Sequence, residues 1–263
     1  MSRTFRLTIR YDGTGYAGWQ VQPGRQTIQG VIEEGLETIL HEPCRLTGAG
    51  RTDAGVHALG QVAHFTTCAT IPAKSLKRAL NSILPRDIAI AEASVVHPGF
   101  HARRDAVAKR YRYRIFRDST RDPFLWPYTW FIPHPLDIEA IRRCLPILRG
   151  EHDFSAFSVA KRDGRSGIRR LMNIAMVDKG GDLVIEFLGN GFLRKQVRRM
   201  VGTLIEVGRG RFTPDHVQSM LDSLDPAEAG VTAPPQGLFL VKVYYPARAW
   251  RPIDPAESSA DPC

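Results

Sequence analysis

Residues 109–116 read KRYRYRIF, and from Arg110 to Ile115 basic and apolar side chains alternate. A period of two predicts a β-strand, because successive side chains of a strand point to opposite faces. One face then carries Arg110, Arg112 and Arg114, and the other carries Tyr111, Tyr113 and Ile115. We expect at least one of the two tyrosines to pack in a core, and the other to face a bound molecule.

The segments before this strand alternate between strand and helix patterns. We predict strands at residues 3–10, 61–67 and 87–96 and helices at 28–39 and 73–84, the first helix capped by Thr27. Residues 46–55 between them are glycine-rich and polar, which is typical of a loop.

The segments after it follow a similar order. We predict a helix at 136–148, a hairpin at 174–188, a helix from about 192 to 207, a short helix after Pro214 and a strand at 237–245. The repeated order predicts an α+β protein of two similar halves, at residues 1–104 and 105–248. A proline-rich tail at 249–263 is expected to be poorly ordered.

Composition narrows the class of protein. The 263 residues are 43% hydrophobic, which indicates a globular protein, and carry a net charge of +9. That charge favours a polyanionic partner, and an incidentally high pI is the alternative. The four cysteines are scattered without a C-x-x-C pair, so neither a disulfide framework nor a cysteine-based zinc site is indicated. No apolar stretch resembles a signal peptide or a membrane span, and we expect a cytoplasmic protein.

Residues 48–57 read GAGRTDAGVH and hold the sharpest candidate for chemistry. The spacing matches neither a dinucleotide fingerprint nor a P-loop. Glycines on both sides allow the backbone to bring Asp53 close to a ligand, where its carboxylate could act as a nucleophile or a base. A solvated turn in which Arg51 and Asp53 merely sit together is the alternative.

Three basic segments are candidates for phosphate contact. Residues 100–104 read FHARR, residues 161–165 read KRDGR, and the predicted helix from 192 would pair Arg194 with Arg198 and Lys195 with Arg199. Like charges at that spacing in a first helical turn are unfavourable unless an anion binds there. Cations interleaved with aromatic side chains suit looped RNA. Ordinary solvated surfaces are the alternative.

Other kinds of site have weaker support. His97 and His101 form a close pair without a third ligand at metal-like spacing, so we expect no metal, and no G-x-S-x-G elbow of a serine hydrolase is present. A phosphate-binding metabolic enzyme would need a small-ligand motif. A non-catalytic RNA-binding or RNA-chaperone protein is the main alternative to an enzyme, although it would not need Arg51 and Asp53 between glycines.

Six blocks follow one another along the chain. They are YDGTGYAGWQVQ from Tyr11, GAGRTDAGVHALGQVAHF from Gly48, FHAR from Phe100, KRYRY from Lys109, GNGFLRKQVRRMVGTLIEVG from Gly189 and GLFLV from Gly237. Together they closely resemble the tRNA pseudouridine synthase A family. The resemblance implies two α/β subdomains with mainly antiparallel sheets flanked by helices around a basic central cleft. It also implies a cofactor-free isomerase that converts uridine to pseudouridine at positions 38, 39 and 40 of the tRNA anticodon stem-loop, acting as a homodimer.

The resemblance also implies roles for individual residues. Asp53 would be the catalytic carboxylate, Arg51 would position it and the RNA backbone, Tyr111 would pack against the uracil, and Leu238 would contact the substrate. The implied RNA contacts are Phe100, His101, Ala102, Arg103, Arg104, Lys161, Arg162, Asp163, Gly164, Arg165, Arg194, Lys195 and Arg198.

Overall fold

The computed structural model describes residues 2–159 and 166–246. The predicted tail at 249–263 and the basic loop at 161–165 therefore lie outside the described residues. The chain divides into two compact units, one running to Val107 and resuming at Leu240, the other spanning Ala108–Phe239. The chain combines α-helices with mainly antiparallel strands, so the predicted α+β class is confirmed. Within the described ranges, no helix is both long and apolar enough to cross a membrane.

The first unit is built on a small antiparallel sheet with two helices. Its elements are β1 (Arg3–Tyr11), α1 (Ile28–Leu40), β2 (Thr47–Gly48), β3 (His57–Thr67), α2 (Ala73–Ile83) and β4 (Ile88–Val96). The strand order is β4-β1-β3, with β2 on the side of β3. Thr27 caps α1 as predicted, its side chain accepting a hydrogen bond from the backbone N–H of Gly30.

The core of the first unit follows from the alternation in β1. Phe5, Leu7 and Ile9 point to one face and are fully buried. The ring of Phe5 stacks on that of Phe65 in β3, with 5.4 Å between the centroids. Burial of such apolar side chains is the main favourable contribution to folding, at about 25 cal/mol per Å².

The second unit has a comparable construction. Its elements are β5 (Ala108–Phe116), β6 (Trp130–Phe131), α3 (Ile138–Leu148), β7 (Gly150–Asp153), β8 (Ile168–Lys179), β9 (Asp182–Gly189), α4 (Gln196–Gly208) and α5 (Pro214–Ser223). The strand order is β5-β9-β8-β7, and β6 pairs with β5 in parallel. The chain then enters β10 (Leu238–Tyr244), most of which belongs to the first unit.

Strand β5 has the two faces that its sequence predicts, since Tyr111, Tyr113 and Ile115 are all buried. The arginine face is partly neutralised within the sheet. Arg112 forms an ion pair of 2.7 Å with Glu186, the residue of β9 directly opposite it. The arginines of β5 therefore contribute less free positive charge than their number suggests.

The predicted start of helix α4 is wrong. The helix begins at Gln196 rather than near residue 192, because Lys195 adopts a left-handed backbone conformation with φ of 61°. The side chain of Gln196 also accepts a hydrogen bond from the backbone N–H of Leu193, which stabilises the non-helical segment. Arg194 and Lys195 therefore precede the helix, and of the four cations only Arg198 and Arg199 lie in its first turn.

Smaller corrections concern element boundaries. Strand β3 begins at His57, four residues earlier than predicted, and the expected loop at 46–55 contains the short strand β2. Helix α3 begins at Ile138 because the carboxylate of Asp137 caps it by accepting from the backbone N–H of Ala140.

Candidate active site

Asp53 lies on the loop between β2 and β3, and its side chain is half-buried. Its backbone carbonyl accepts a hydrogen bond of 3.2 Å from the N–H of Val56, which closes a tight turn. The turn leads directly into β3, so the carboxylate stands on a short connection between paired strands. Such a rigid support suits a group that must be held in one orientation.

The residue before Asp53 is anchored in the interior. The hydroxyl groups of Tyr11 and Thr52 are hydrogen-bonded at 2.8 Å, and both residues are buried. The carbonyl oxygen of Thr52 accepts a second bond, of 3.1 Å, from the backbone N–H of Trp19. Burial raises the pKa of Tyr11 well above its ordinary value, so its hydroxyl stays protonated.

Two glycines allow the 11–19 segment to pack against this loop. Gly18 has φ of 97°, and a Cβ atom there would lie 2.7 Å from the carbonyl oxygen of Thr52. A Cβ atom on Gly13 would lie 2.1 Å from the carbonyl oxygen of Val56. Backbone therefore contacts backbone on both sides of Asp53, and any side chain at either glycine would force the two segments apart.

These supporting residues were not predicted as part of the site. Tyr11, Thr52 and Gly18 act through contacts that join positions more than 30 residues apart in sequence. The only local signal was the recurrence of glycine in the turn after β1, which indicates close approach without naming the partner. Trp19 is 1% exposed, and its ring occupies the space beside Gly48.

Arg51 is exposed, and its Nε donates a hydrogen bond of 3.1 Å to the side-chain oxygen of Gln20. This bond orients the guanidinium from the 11–22 segment. A contact of Arg51 with RNA stays a prediction.

The substrate-contact candidates of the second unit, Tyr111 and Leu238, are both buried. Tyr111 is 7% exposed and meets Phe192 edge to face, with 5.0 Å between the centroids and 81° between the planes. Leu238, at the start of β10, is 6% exposed. The tyrosine of β5 with the deeper position is Tyr113, whose hydroxyl donates to the carbonyl oxygen of Pro234 at 2.8 Å.

The segment 100–104 is anchored through alternate residues. Phe100 and Ala102 are buried, whereas Arg103 and Arg104 are exposed. Ala102 is held from both sides, because its N–H donates to Nδ1 of His64 at 3.2 Å and its carbonyl oxygen accepts from the hydroxyl of Tyr245 at 2.6 Å. Such an arrangement presents two cations on a fixed backbone.

The side chain of His101 stabilises the backbone of the 100–104 segment. Its Nδ1 accepts from the backbone N–H groups of Arg103 and Arg104, each at 3.2 Å. The ring of His101 packs against that of His64, with 4.8 Å between the centroids. Burial and the neighbouring His101 lower the pKa of His64, which favours its neutral form.

The cations of the third basic segment, at residues 194–198, differ in their exposure. Arg194 is exposed and Lys195 is half-buried, but Arg198 is 9% exposed and its Nε donates to the carbonyl oxygen of Ala233 at 2.7 Å. The side chain of Arg198 is therefore directed into the second unit. Among the described residues, no group of three or more histidine, cysteine or acidic side chains could hold a metal ion.

Comparison with known proteins assigns the family. A family model described as tRNA pseudouridine synthase matches residues 7–103 and 146–246. The chain therefore belongs to the tRNA pseudouridine synthase family, and it is an enzyme of the isomerase class.

Among its relatives, a protein from Exiguobacterium sibiricum named tRNA pseudouridine synthase A is 47% identical, covering 93% of this chain and 97% of its own. A protein of the same name from Geobacter sulfurreducens is 46% identical, covering 92% of this chain and 100% of its own. A solved archaeal box H/ACA sRNP Nop10-Cbf5 complex has 14% identity and a TM-score of 0.35, covering 76% of this chain and 44% of that one.

Proposed function

We propose that this enzyme isomerises uridine to pseudouridine at positions 38, 39 and 40 of the tRNA anticodon stem-loop, with Asp53 as the nucleophile. tRNA pseudouridylation is the activity of the family to which the chain belongs. The observation that carries the proposal is the placement of Asp53 on a short loop that is fixed on both sides by the 11–19 segment.

The reaction explains why so little machinery is needed. The bond between uracil N1 and ribose C1′ breaks, and a bond between uracil C5 and the same C1′ forms. The proton on C5 is released, and N1 gains a proton. The product is an isomer of the substrate, so no oxidant, reductant or transferred group enters, and no cofactor is called for.

Asp53 supplies the nucleophile in this scheme. Attack of its carboxylate at ribose C1′ or at uracil C6 would divide one difficult step into two easier ones. The fixed loop helps because a nucleophile held close to its target avoids the entropic cost of finding it. Arg51, held by Gln20, would orient the carboxylate and the RNA backbone.

The target uridine must leave its stack, at a cost of roughly a few kcal/mol. We propose that the ring of Tyr111 packs against the uracil and offsets part of this cost, with Leu238 as an apolar contact. The edge-to-face contact with Phe192 would hold the Tyr111 ring ready for that role. The Tyr111 hydroxyl could also assist removal of the C5 proton.

Affinity for tRNA would come from the cations at the surface. Arg103 and Arg104 stand exposed on an anchored backbone, and Arg194 and Lys195 precede helix α4. The net charge of +9 favours the same partner. We further propose, from the family resemblance, that the enzyme is a cytoplasmic homodimer.

Position mapping tests the proposed substrate site. The purified protein would be incubated with unmodified tRNAs that carry uridine at 38, 39 or 40, and pseudouridines would be located by base-specific chemical labelling and primer extension. We expect labels only at these three positions, and none in a tRNA that has cytidine at all of them. Labels confined to another arm of the tRNA would overturn the assignment of the anticodon stem-loop.

A further inference from the structure

A buried polar pair lies beside the loop of Asp53. His57, the first residue of β3, is 1% exposed, and its Nδ1 is 3.1 Å from Oδ1 of Asp12. The same Nδ1 is 3.1 Å from the backbone nitrogen of Gly13. A buried polar nitrogen is costly unless it is hydrogen-bonded, and the turn that follows β1 provides the partners of Nδ1.

Both states of Nδ1 hold this turn. An unprotonated Nδ1 accepts the hydrogen bond of the Gly13 N–H, and a protonated Nδ1 donates to the carboxylate of Asp12. The carboxylate is itself fixed, because Oδ1 accepts from the N–H and the hydroxyl of Thr14 at 2.9 and 2.6 Å. The backbone N–H of Asp12 donates to the carbonyl oxygen of Asp87 at 2.9 Å.

The turn that follows β1 contacts the loop of Asp53, the candidate nucleophile. Gly13 lies so close to Val56 that a Cβ atom on the glycine would be 2.1 Å from the Val56 carbonyl oxygen. Val56 in turn donates its N–H to the carbonyl oxygen of Asp53. His57 therefore stabilises the turn at Asp12 and Gly13, which packs against the loop of Asp53. It does so although His57 itself is buried and lies four residues after Asp53.

We propose that Asp12 and His57 are positioning residues, which set the orientation of the Asp53 carboxylate through Gly13 and Val56 without contacting the substrate. This proposal rests on the proposed function, since it needs Asp53 to act on uridine. The 11–19 segment would then support the loop of Asp53 at two places. The Tyr11–Thr52 contact fixes the loop before Asp53, and the Asp12–His57 pair fixes the loop after it.

Two substitutions at the same position distinguish positioning from stability. His57→Leu keeps the approximate volume and removes the acceptor, whereas His57→Asn keeps a polar atom near the place of Nδ1. Asn81→Leu is the matched control in the same unit, because it removes two hydrogen bonds to the backbone of Ile90 that lie outside the proposed machinery.

The readout is the single-turnover rate of tritium release from tRNA labelled at uridine C5, at saturating enzyme and well below the melting temperature of each variant. A displacement of the nucleophile by about 1 Å lowers such rates by about 100-fold. We expect His57→Leu to slow release by about 10- to 100-fold with the Kd for tRNA changed less than about 2-fold, and His57→Asn to recover most of the rate.

A His57→Leu rate within about 2-fold of the wild-type rate, with a melting temperature lowered as in Asn81→Leu, would show a structural role only and overturn the proposal. If His57→Leu does not fold, Asp12→Ala takes its place, and the same loss of rate at unchanged Kd is expected. Wild-type protein that binds tRNA and releases no tritium would instead contradict the proposed function itself.

Discussion

The hydroxyl groups of Tyr11 and Thr52 are hydrogen-bonded at 2.8 Å in the interior of the first unit. Thr52 directly precedes Asp53 in the chain. The bond joins the last residue of β1 to a loop 41 positions away. Each hydroxyl loses water on burial, and the Tyr11 hydroxyl also hydrogen-bonds the side chain of Gln61. Removing either hydroxyl of the pair takes a hydrogen-bond partner from the other, so the costs of the two removals overlap.

The first prediction concerns this pair. Tyr11→Phe and Thr52→Val should each lower the free energy of unfolding by about 1–3 kcal/mol, measured by urea denaturation. The double variant should be less destabilised than the sum of the two, because both single variants lose the same hydrogen bond between Tyr11 and Thr52. Strict additivity would show that the two hydroxyls do not depend on each other.

The second prediction separates two arginines that look alike in the sequence. Arg198→Met should lower the free energy of unfolding by about 1.5–3 kcal/mol, because it removes a charged donor from the carbonyl oxygen of Ala233. Arg194→Met, at an exposed position before α4, should leave unfolding unchanged and weaken tRNA binding. Urea denaturation and filter binding measure the two effects, and equal destabilisation by both substitutions would contradict the assignment.

The third prediction concerns pH. The pKa of His64 is lowered in the folded protein from its ordinary value of 6.5, mainly by burial and then by His101. The unfolded chain therefore binds a proton that the folded chain does not, so the stability that neutral His64 provides is lost as the pH falls below about 6.5.

Replacing His64 by glutamine should reduce the fall in unfolding free energy between about pH 7 and pH 5, measured by urea denaturation at each pH. The same replacement at the exposed His41 serves as the control and should leave that slope nearly unchanged. An unaltered slope in His64→Gln would contradict the account.

The fourth prediction concerns ionic strength. If several phosphates are contacted, the logarithm of the tRNA association constant should fall linearly with the logarithm of salt concentration, by about 0.7–0.9 per contact. Replacing both Arg103 and Arg104 by alanine should reduce that slope by about 1–2. Filter binding over a range of salt concentrations measures it, and a flat response would contradict the surface assigned to RNA.

The sequence predicted those elements whose cause is local. Strand β5 was located correctly because alternation is read from neighbouring residues, and Thr27 was identified because a capping side chain bonds within its own helix. The start of α4 was misplaced because it depends on the backbone of Lys195 and on the side chain of Gln196. Apolar spacing alone does not report either feature.

The candidate site was predicted unevenly for the same reason. Glycines around Asp53 and the family resemblance both indicate that residue, since the signal lies within ten adjacent positions. Tyr11 and Thr52 carry no such signal, because their contact exists only after the sheet has formed. Arg198 has the sequence pattern of a surface cation, and only the packing of α4 shows that it is buried.

The central claim is that Asp53 carries out the isomerisation. Its most direct test is tritium release from tRNA labelled at uridine C5, without added cofactor or metal, for the wild-type protein, Asp53→Asn and a control, Asp222→Asn, at an exposed position of α5. We expect release by the wild type and the control, and none by Asp53→Asn despite an unchanged Kd for tRNA. Undiminished release by Asp53→Asn would contradict the assignment of this carboxylate as the nucleophile.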